Sequence, residues 1–350
     1  MDQSESQRPA ESGDILQRMS FTTPLKLSVA AGLFAALAFA QSTPVVRLQN
    51  LAHTTESLDK TVPFYRDVLG LPINGDPLSQ KPQKLDADMS KFTGTEGMSF
   101  RAATFRIPNV GFGFELTEFT GGARTPVRPK VQDIGTATLS LQVRDINKVL
   151  AKVRASGAPI VTTGGQLVNP RGPDSTLREI MVRDPDGFFI EILQPDPMPN
   201  VTGDIVGASI QFSVADAEKS AEFLKEAVGF ETSVMMPMGT HPVVAQLLGL
   251  TGAEWRMARG KIPGTTADFG LIQYSGVPRE KVMSSAKDPG SPAFTMVVRD
   301  IQSATDRWVK AGGTVFTTGG KPIVRANRAG NVFVRDINGM MWELIQAANQ

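Results

Sequence analysis

Cysteine is missing from the 350-residue chain, and histidine occurs only twice, as His53 and His241. The first absence excludes a disulfide framework, thiolate zinc sites, cysteine-ligated iron–sulfur clusters and any cysteine nucleophile. The scarcity of histidine excludes a 2-His-1-carboxylate metal site unless both imidazoles meet in one place. Neither charge sign is in excess, with Lys+Arg 36 against Asp+Glu 35, which disfavours nucleic acid as a partner. There is no G-x-S-x-G, hence no nucleophile elbow. GGKP at 319–322 carries Pro322 where a P-loop needs Ser or Thr, and GFG at 111–113 is followed at 116 by leucine instead of a third glycine. What remains is ordinary globular composition, 41% hydrophobic and 20% charged. At roughly 150 residues per domain, the length implies two domains and a remainder.

The remainder lies at the front. After a polar stretch comes Lys26, an apolar run of 13 residues from Leu27 to Phe39, and Ala38 and Ala40 in A-x-A spacing. This pattern predicts a leader and signal peptide over 1–40, cleaved after Ala40, and hence an exported, periplasmic or extracellular protein. The run is shorter than the roughly 20 residues that span a bilayer as a helix, so no stable membrane span is expected after cleavage. Translation from Met1 or from Met19 fits the sequence equally.

The rest of the chain is duplicated. Residues 94–109 align without gaps at an offset of 155 with residues 249–264, and six of sixteen positions are identical, among them Arg101 and Arg256. The same offset carries VRDI at 143–146 and TTGG at 162–165 onto their second copies. A Pro-rich PDPMPN at 195–200 marks the junction, so domains are expected over 45–196 and 203–347, joined by a linker at 197–202. Within each half a smaller unit recurs. Leu58, Val62, Tyr65 and Leu69 form one helix stripe ending at Gly70, and Ala217, Ala221, Leu224 and Val228 form its copy ahead of Gly229. Strand-like stretches precede and follow each helix, and RDPDG and RDING read as hairpin turns.

The helix FYRDVLGL, the hairpin RDPDGFFIEI, the segment VRDINKVLAKVRASGAPIV and the fourfold βαβββ order resemble the vicinal oxygen chelate superfamily, which includes glyoxalase I, bleomycin-resistance proteins and extradiol dioxygenases. The resemblance covers about residues 45–347. It implies an α+β fold of four βαβββ modules paired into two cups, a divalent metal on a cup floor, and ligands from the first and last strands of each module.

Carried over residue by residue, the resemblance puts Asn50 at the usual histidine position, fourteen before Phe64. His53, three residues on, falls on the opposite strand face and reads as a non-ligand. The other positions of the first half are Glu115, Thr138 and Glu191; those of the second are Ser209, Gly270, Ala293 and Glu343. The expected metal set is therefore Asn50, Glu115, Thr138 and Glu191 in one cup, with Glu115 and Glu191 as catalytic acids and the second cup degenerate. Oxygen donors suit Mn²⁺, Mg²⁺ or Ca²⁺ better than Zn²⁺. Arg101 and Arg256 could meet an anionic substrate, though a shared structural role explains them more simply. Two function classes follow: a metal-assisted lyase, isomerase or dioxygenase-like enzyme acting on a small oxygenated molecule, or a metal-free small-molecule binding protein. The missing histidines argue against ordinary glyoxalase I or iron extradiol chemistry. With two cups in one chain, a monomer is expected.

Overall fold

In each of four segments the apolar period switches from two to about 3.6 and back, which dictates a strand, a helix and further strands. A computed structural model describes residues 45–348, so the predicted leader and cleavage site lie outside the described residues. The described residues belong to one compact unit, Ser42–Gln350. Module 1 consists of β1 (Val45–Thr55), α1 (Leu58–Pro63), β2 (Gln83–Lys84), α2 (Ala87–Thr93), β3 (Ser99–Arg106) and β4 (Gly113–Thr120). Module 2 has β5 (Ala137–Val143), α3 (Ile146–Ser156), β6 (Arg178–Arg183) and β7 (Phe189–Gln194). Module 3 has β8 (Ile205–Ser213), α4 (Ala217–Val228), β9 (Thr232–Met235), α5 (Pro242–Leu248), β10 (Glu254–Lys261) and β11 (Asp268–Ser275). Module 4 has β12 (Pro292–Val298), α6 (Ile301–Lys310), β13 (Thr314–Val315), β14 (Ile323–Val324), β15 (Gly330–Arg335) and β16 (Met341–Gln346).

The local chemistry explains these boundaries. Leu58, Val62, Tyr65 and Leu69 are all buried, and Gly70 turns the chain at φ 79°. Pro63 has no N–H to continue α1, and the next turn widens into a π turn over Phe64–Val68. The aspartates of the two VRDI segments cap helices: Asp145 accepts from Lys148 N and Asp300 from Ser303 N. The TTGG repeats are ties and not phosphate loops, since the Thr162 and Thr317 hydroxyls each accept a strand N–H, from Met181 and Phe333, at 2.8 Å.

The strand order corrects the expected domain division. The nine-stranded sheet runs β13-β15-β16-β12-β1-β4-β3-β2 with β14 beside β15, and the seven-stranded sheet runs β6-β7-β5-β8-β11-β10-β9. Module 1 therefore pairs with module 4, through β1 and β12, and module 2 with module 3, through β5 and β8. Residues 45–196 do not close a cup by themselves, and neither do residues 203–347.

Consecutive modules pack helix side to helix side instead. Lys152 donates to Asp67 O across modules 1 and 2, and Phe223 meets Trp308 edge to face across modules 3 and 4. One core takes the inner faces of both sheets, including Leu51, Phe114, Leu139, Ile190, Ile210 and Phe294. Backbone hydrogen bonds carry no address, so the edge of β1 pairs with whichever first strand the packing presents to it. The cup of modules 1 and 4 is called the outer cup below, and that of modules 2 and 3 the inner cup.

Candidate functional site

Strand alternation sorts the candidate residues. On β7, Ile190 and Ile192 enter the common core, which leaves Phe189, Glu191 and Leu193 on the cup face. On β4, Phe114 and Leu116 enter the core and Glu115 faces its cup. Glu115 and Glu191 lie on different sheets, so the expected single floor of Asn50, Glu115, Thr138 and Glu191 is not formed. Asn50 and Glu115 share the outer cup with Ala293 and Glu343, while Thr138 and Glu191 share the inner cup with Ser209 and Gly270.

In the outer cup the Asn50 amide donates to Glu115 Oε2 at 3.3 Å. Gly113 makes room for it, because a Cβ there would lie 2.6 Å from Asn50 Oδ1. Glu343 accepts from the Thr295 hydroxyl at 3.1 Å and from the Asn331 amide at 3.0 Å. Burial pushes the Glu343 carboxyl up to about 7 against those hydrogen bonds, and the charge of Glu115 adds to the rise. Burial raises Glu115 as well.

The inner cup holds a cavity of 470 Å³ whose lining includes Ser140, Glu179, Glu191, Gln211 and Arg259. Glu191 is 6% exposed and accepts from Gln211 Nε2 at 2.8 Å. Ser140 stands beside it on β5, where Thr138 was expected; Thr138 pairs instead with Phe189. In the β6–β7 ladder Glu179 pairs with Leu193 and Glu191 with Met181, so the two carboxylates are diagonal neighbours on one face. Burial and the Glu191 charge push Glu179 up to about 8, opposed by Arg171 and Arg259. Burial raises Glu191 too, against Ser140, Arg259 and Gln211. Near neutral pH the pair therefore holds one proton.

Glu179 was missed by the sequence reading. Its signal is the alternation in REIMVR, where Ile180 and Val182 are core residues and Glu179 and Met181 share the opposite face. Counted across the RDPDG turn, that face is the face of Glu191.

Among the described residues, His53, Asp184 and Asp186 form a buried group whose ligand atoms lie within 4.8 Å of one another. His53 faces away from Asn50, as alternation predicts, and stacks on Phe188. Its Nε2 lies 2.6 Å from Asp184 Oδ2, a hydrogen-bond distance, whereas two ligands of one tetrahedral ion sit roughly 3.3 Å apart. Every carboxylate oxygen is also engaged. Asp184 accepts from His53, the Tyr65 hydroxyl and the N–H groups of Asp186 and Phe188. Asp186 accepts from Glu56 N and from the Thr55 and Thr61 hydroxyls. The group therefore ties the module 2 hairpin to β1 and α1. Burial works to lower the His53 pKa, but the charge and hydrogen bond of Asp184, with Asp186 behind it, hold it above the usual histidine value.

Arg101 and Arg256 have the structural role. Arg101 bridges Asp59 and Glu118, and Glu118 accepts from Leu58 N at the start of α1; Arg256 bridges Glu218 and Gln273, and Gln273 accepts from Ala217 N at the start of α4. His241 caps α5.

Repeated βαβββ modules paired into two cups, with carboxylates on each cup face, define the fold class of the protein. The model of the superfamily described as Glyoxalase/Bleomycin resistance protein/Dioxygenase matches residues 47–192. A lactoylglutathione lyase of Arabidopsis thaliana is 23% identical over 185 residues, which are 52% of this chain and 54% of that protein. The chain thus spans about half the length of the curated relatives it matches. Glyoxalase I from Zea mays superimposes with a TM-score of 0.55 at 16% identity, over 86% of this chain and 92% of the other. A Bacillus subtilis protein assigned as a dioxygenase gives a TM-score of 0.51 at 14% identity, over 87% of this chain and 86% of the other. These structural likenesses carry the fold.

Proposed function

We propose that the protein is a metal-assisted enzyme of the lyase or isomerase kind acting on a small oxygenated molecule, with its active centre in the inner cup. The observation that carries this reading is the pair Glu179 and Glu191, two diagonal carboxyls at the wall of a 470 Å³ cavity, the former pushed up to about 8. A pair that holds one proton near neutrality can take a proton from a carbon beside a carbonyl and return it to a neighbouring atom. Glu191, anchored by Gln211, is the better placed base, and Glu179 the proton store.

The donor chemistry fits a hard divalent ion. Glu179, Glu191, the Ser140 hydroxyl and, on rotation, the Gln211 amide oxygen are all oxygen ligands, which suit Mn²⁺, Mg²⁺ or Ca²⁺ better than Zn²⁺. Such an ion, when bound, supplies Lewis-acid polarisation of a carbonyl or enolate oxygen. The lactoylglutathione lyase relatives make S-lactoylglutathione a first compound to assay. The likeness to dioxygenases extends the reading to oxygenated substrates generally.

Calorimetric titration of Mn²⁺, Mg²⁺ and Ca²⁺ into wild type, Glu191→Gln and Glu343→Gln tests the assignment. Binding lost in Glu191→Gln and kept in Glu343→Gln supports the inner cup. The reverse pattern moves the centre to Glu115 and Glu343. Absence of binding in all three proteins favours a metal-free small-molecule binder, a reading supported by the cavity and by imidazoles engaged elsewhere.

Export with cleavage after Ala40 is part of the proposal. Intact-mass measurement of the mature protein checks it, and finding residues 27–39 retained refutes it. Since both cups are completed within one chain, a monomer is proposed, to be checked by sedimentation. No helix among the described residues is long and apolar enough to cross a membrane.

A further inference from the structure

The inner cavity carries a cation, Arg259, that the proton-transfer pair does not contact directly. Arg171 and Arg259 line it from opposite modules, one from the loop between α3 and β6, the other from β10. The Arg259 guanidinium makes no hydrogen bond or ion pair within 4.0 Å among the described residues, while Arg171 holds only the carbonyl of Asp196. The two other acids of the lining are engaged. Asp196 accepts from Ser175 and Thr176, and Asp268 pairs with Lys261 at 2.7 Å. Arg171 and Arg259 are both exposed residues; the ionised Asp196 acts on Arg171, which leaves Arg259 as the guanidinium of the lining with no carboxylate within 4.0 Å among the described residues, acting on Glu179 and Glu191 only at longer range.

The rest of the wall is apolar. Leu177, Leu247, Trp255, Met257 and Ile272 line it, with Met236 at the exposed edge of the sheet. The methionines give that wall an adaptable shape. Two buried polar atoms there, Ser140 Oγ and Trp255 Nε1, have no hydrogen-bond partner of good geometry. The outer cup differs at the decisive position: at the 155-residue offset Thr104 stands where Arg259 does.

We propose that the inner cup selects a compact organic anion, a carboxylate on an apolar body of aromatic or branched-chain size, with Arg259 as the specificity-determining cation. The carboxylate lies toward Arg259 and Arg171, the body lies against Trp255 and the methionines, and the oxygenated carbon lies toward Glu191. This inference rests on the reading of the inner cup as the active centre.

Trp255 supplies the signal for the test, because Trp308 and Trp342 are fully buried in the helix-side core. The full-length protein is titrated with 3-phenylpropionate, 4-methylpentanoate and indole-3-propionate, with their amides, and with S-lactoylglutathione, while tryptophan fluorescence is followed; Trp255→Phe is the control for the signal. At least one acid binds about tenfold or more tightly than its amide. That preference disappears in Arg259→Gln, is kept in Arg259→Lys, and weakens with salt. Equal binding of acids and amides, preference unchanged in Arg259→Gln, or no binding by any acid overturns the proposal. Tight binding of S-lactoylglutathione alone overturns the compact-ligand class but leaves the inner cup as the active centre. If no compound binds and Glu191→Gln does not alter ion binding, the reading of the inner cup falls with it.

Discussion

The outer and inner cups place a glutamate at the same point of the same scaffold, Glu343 on β16 and Glu191 on β7, yet give it different company. Beside Glu343 the diagonal strand position holds Asn331, which donates a hydrogen bond; beside Glu191 it holds Glu179, which cannot donate unless it keeps a proton. The second carboxyl of the outer cup, Glu115, comes from the other module. A single amide-for-acid difference on the penultimate strand thus turns a satisfied buried glutamate into half of a proton-sharing pair. Thr104 against Arg259 adds a cation to one cup only. Duplicated folds keep their backbone roles while their cup faces diverge, because the helix-facing side must fill one core and the cup side need only avoid unpaired charge.

The ties behind the cups show the same divergence, and breaking them has the largest expected effect. Asp184→Ala strands His53, Tyr65 and two backbone N–H groups and should cost about 3–5 kcal/mol. Asp336→Ala, which frees Asn338 N, Met340 N and a long bond from Trp342, should cost less. Denaturant unfolding of both variants checks the order. The His53 pKa is raised in the folded state, so its contribution is complete below the unfolded value of about 6.5 and is lost as pH rises through the folded value. The gap between the two variants should therefore narrow at alkaline pH.

The inner cup should lose ion binding about 100-fold or more in Glu191→Gln, with Glu343→Gln close to wild type, as calorimetry reads directly. Glu179→Asn, which copies the outer arrangement into the inner cup, should abolish the proton held near pH 8 and so remove proton release on ion binding. That release is measured by repeating the titration in buffers of different ionisation enthalpy.

Installing the inner arrangement in the outer cup is the converse test. Asn331→Glu should destabilise the protein by about 1–3 kcal/mol at pH 8 and by little near pH 5, because a second acid there must hold a proton. Wild-type Glu343 already works in this sense. Its folded pKa of about 7 exceeds the unfolded value, so the folded state binds the extra proton and stability falls as pH rises from about 4.5 to 7. Glu343→Gln should flatten that slope in thermal unfolding followed across pH. The smallest effect is expected at Arg101→Gln, about 1 kcal/mol or less, with no change in ligand or ion binding, since Arg101 serves the start of α1.

The modules were legible because their signals are local. A helix stripe, an aspartate cap and a turn glycine report on the residues within a few positions of them, so the four units, the placement of Leu58, Val62, Tyr65 and Leu69, and the face of His53 all follow from the order of residues. The duplication was legible for a similar reason, as a fixed 155-residue offset. The cup faces of β4 and β7 needed more. In FFIEIL both sides are apolar, and only the core packing of Ile190 and Ile192 shows that Glu191 looks into a cup.

The sequence by itself determined that there are four modules, which residues share a strand face, and that the acids Glu115, Glu191 and Glu343 occupy last-strand positions. Which acids meet was decided by the tertiary structure alone. The β1 edge can hydrogen-bond to any first strand, and the choice of β12 over β5 comes from the docking of consecutive modules through their helices and through the ties of Asp184 and Asp186. That choice separated Glu115 from Glu191, joined Glu115 to Glu343, and left Glu191 to find its partner in Glu179, because a side chain's electrostatic neighbours are set by distance in space and not by distance along the chain.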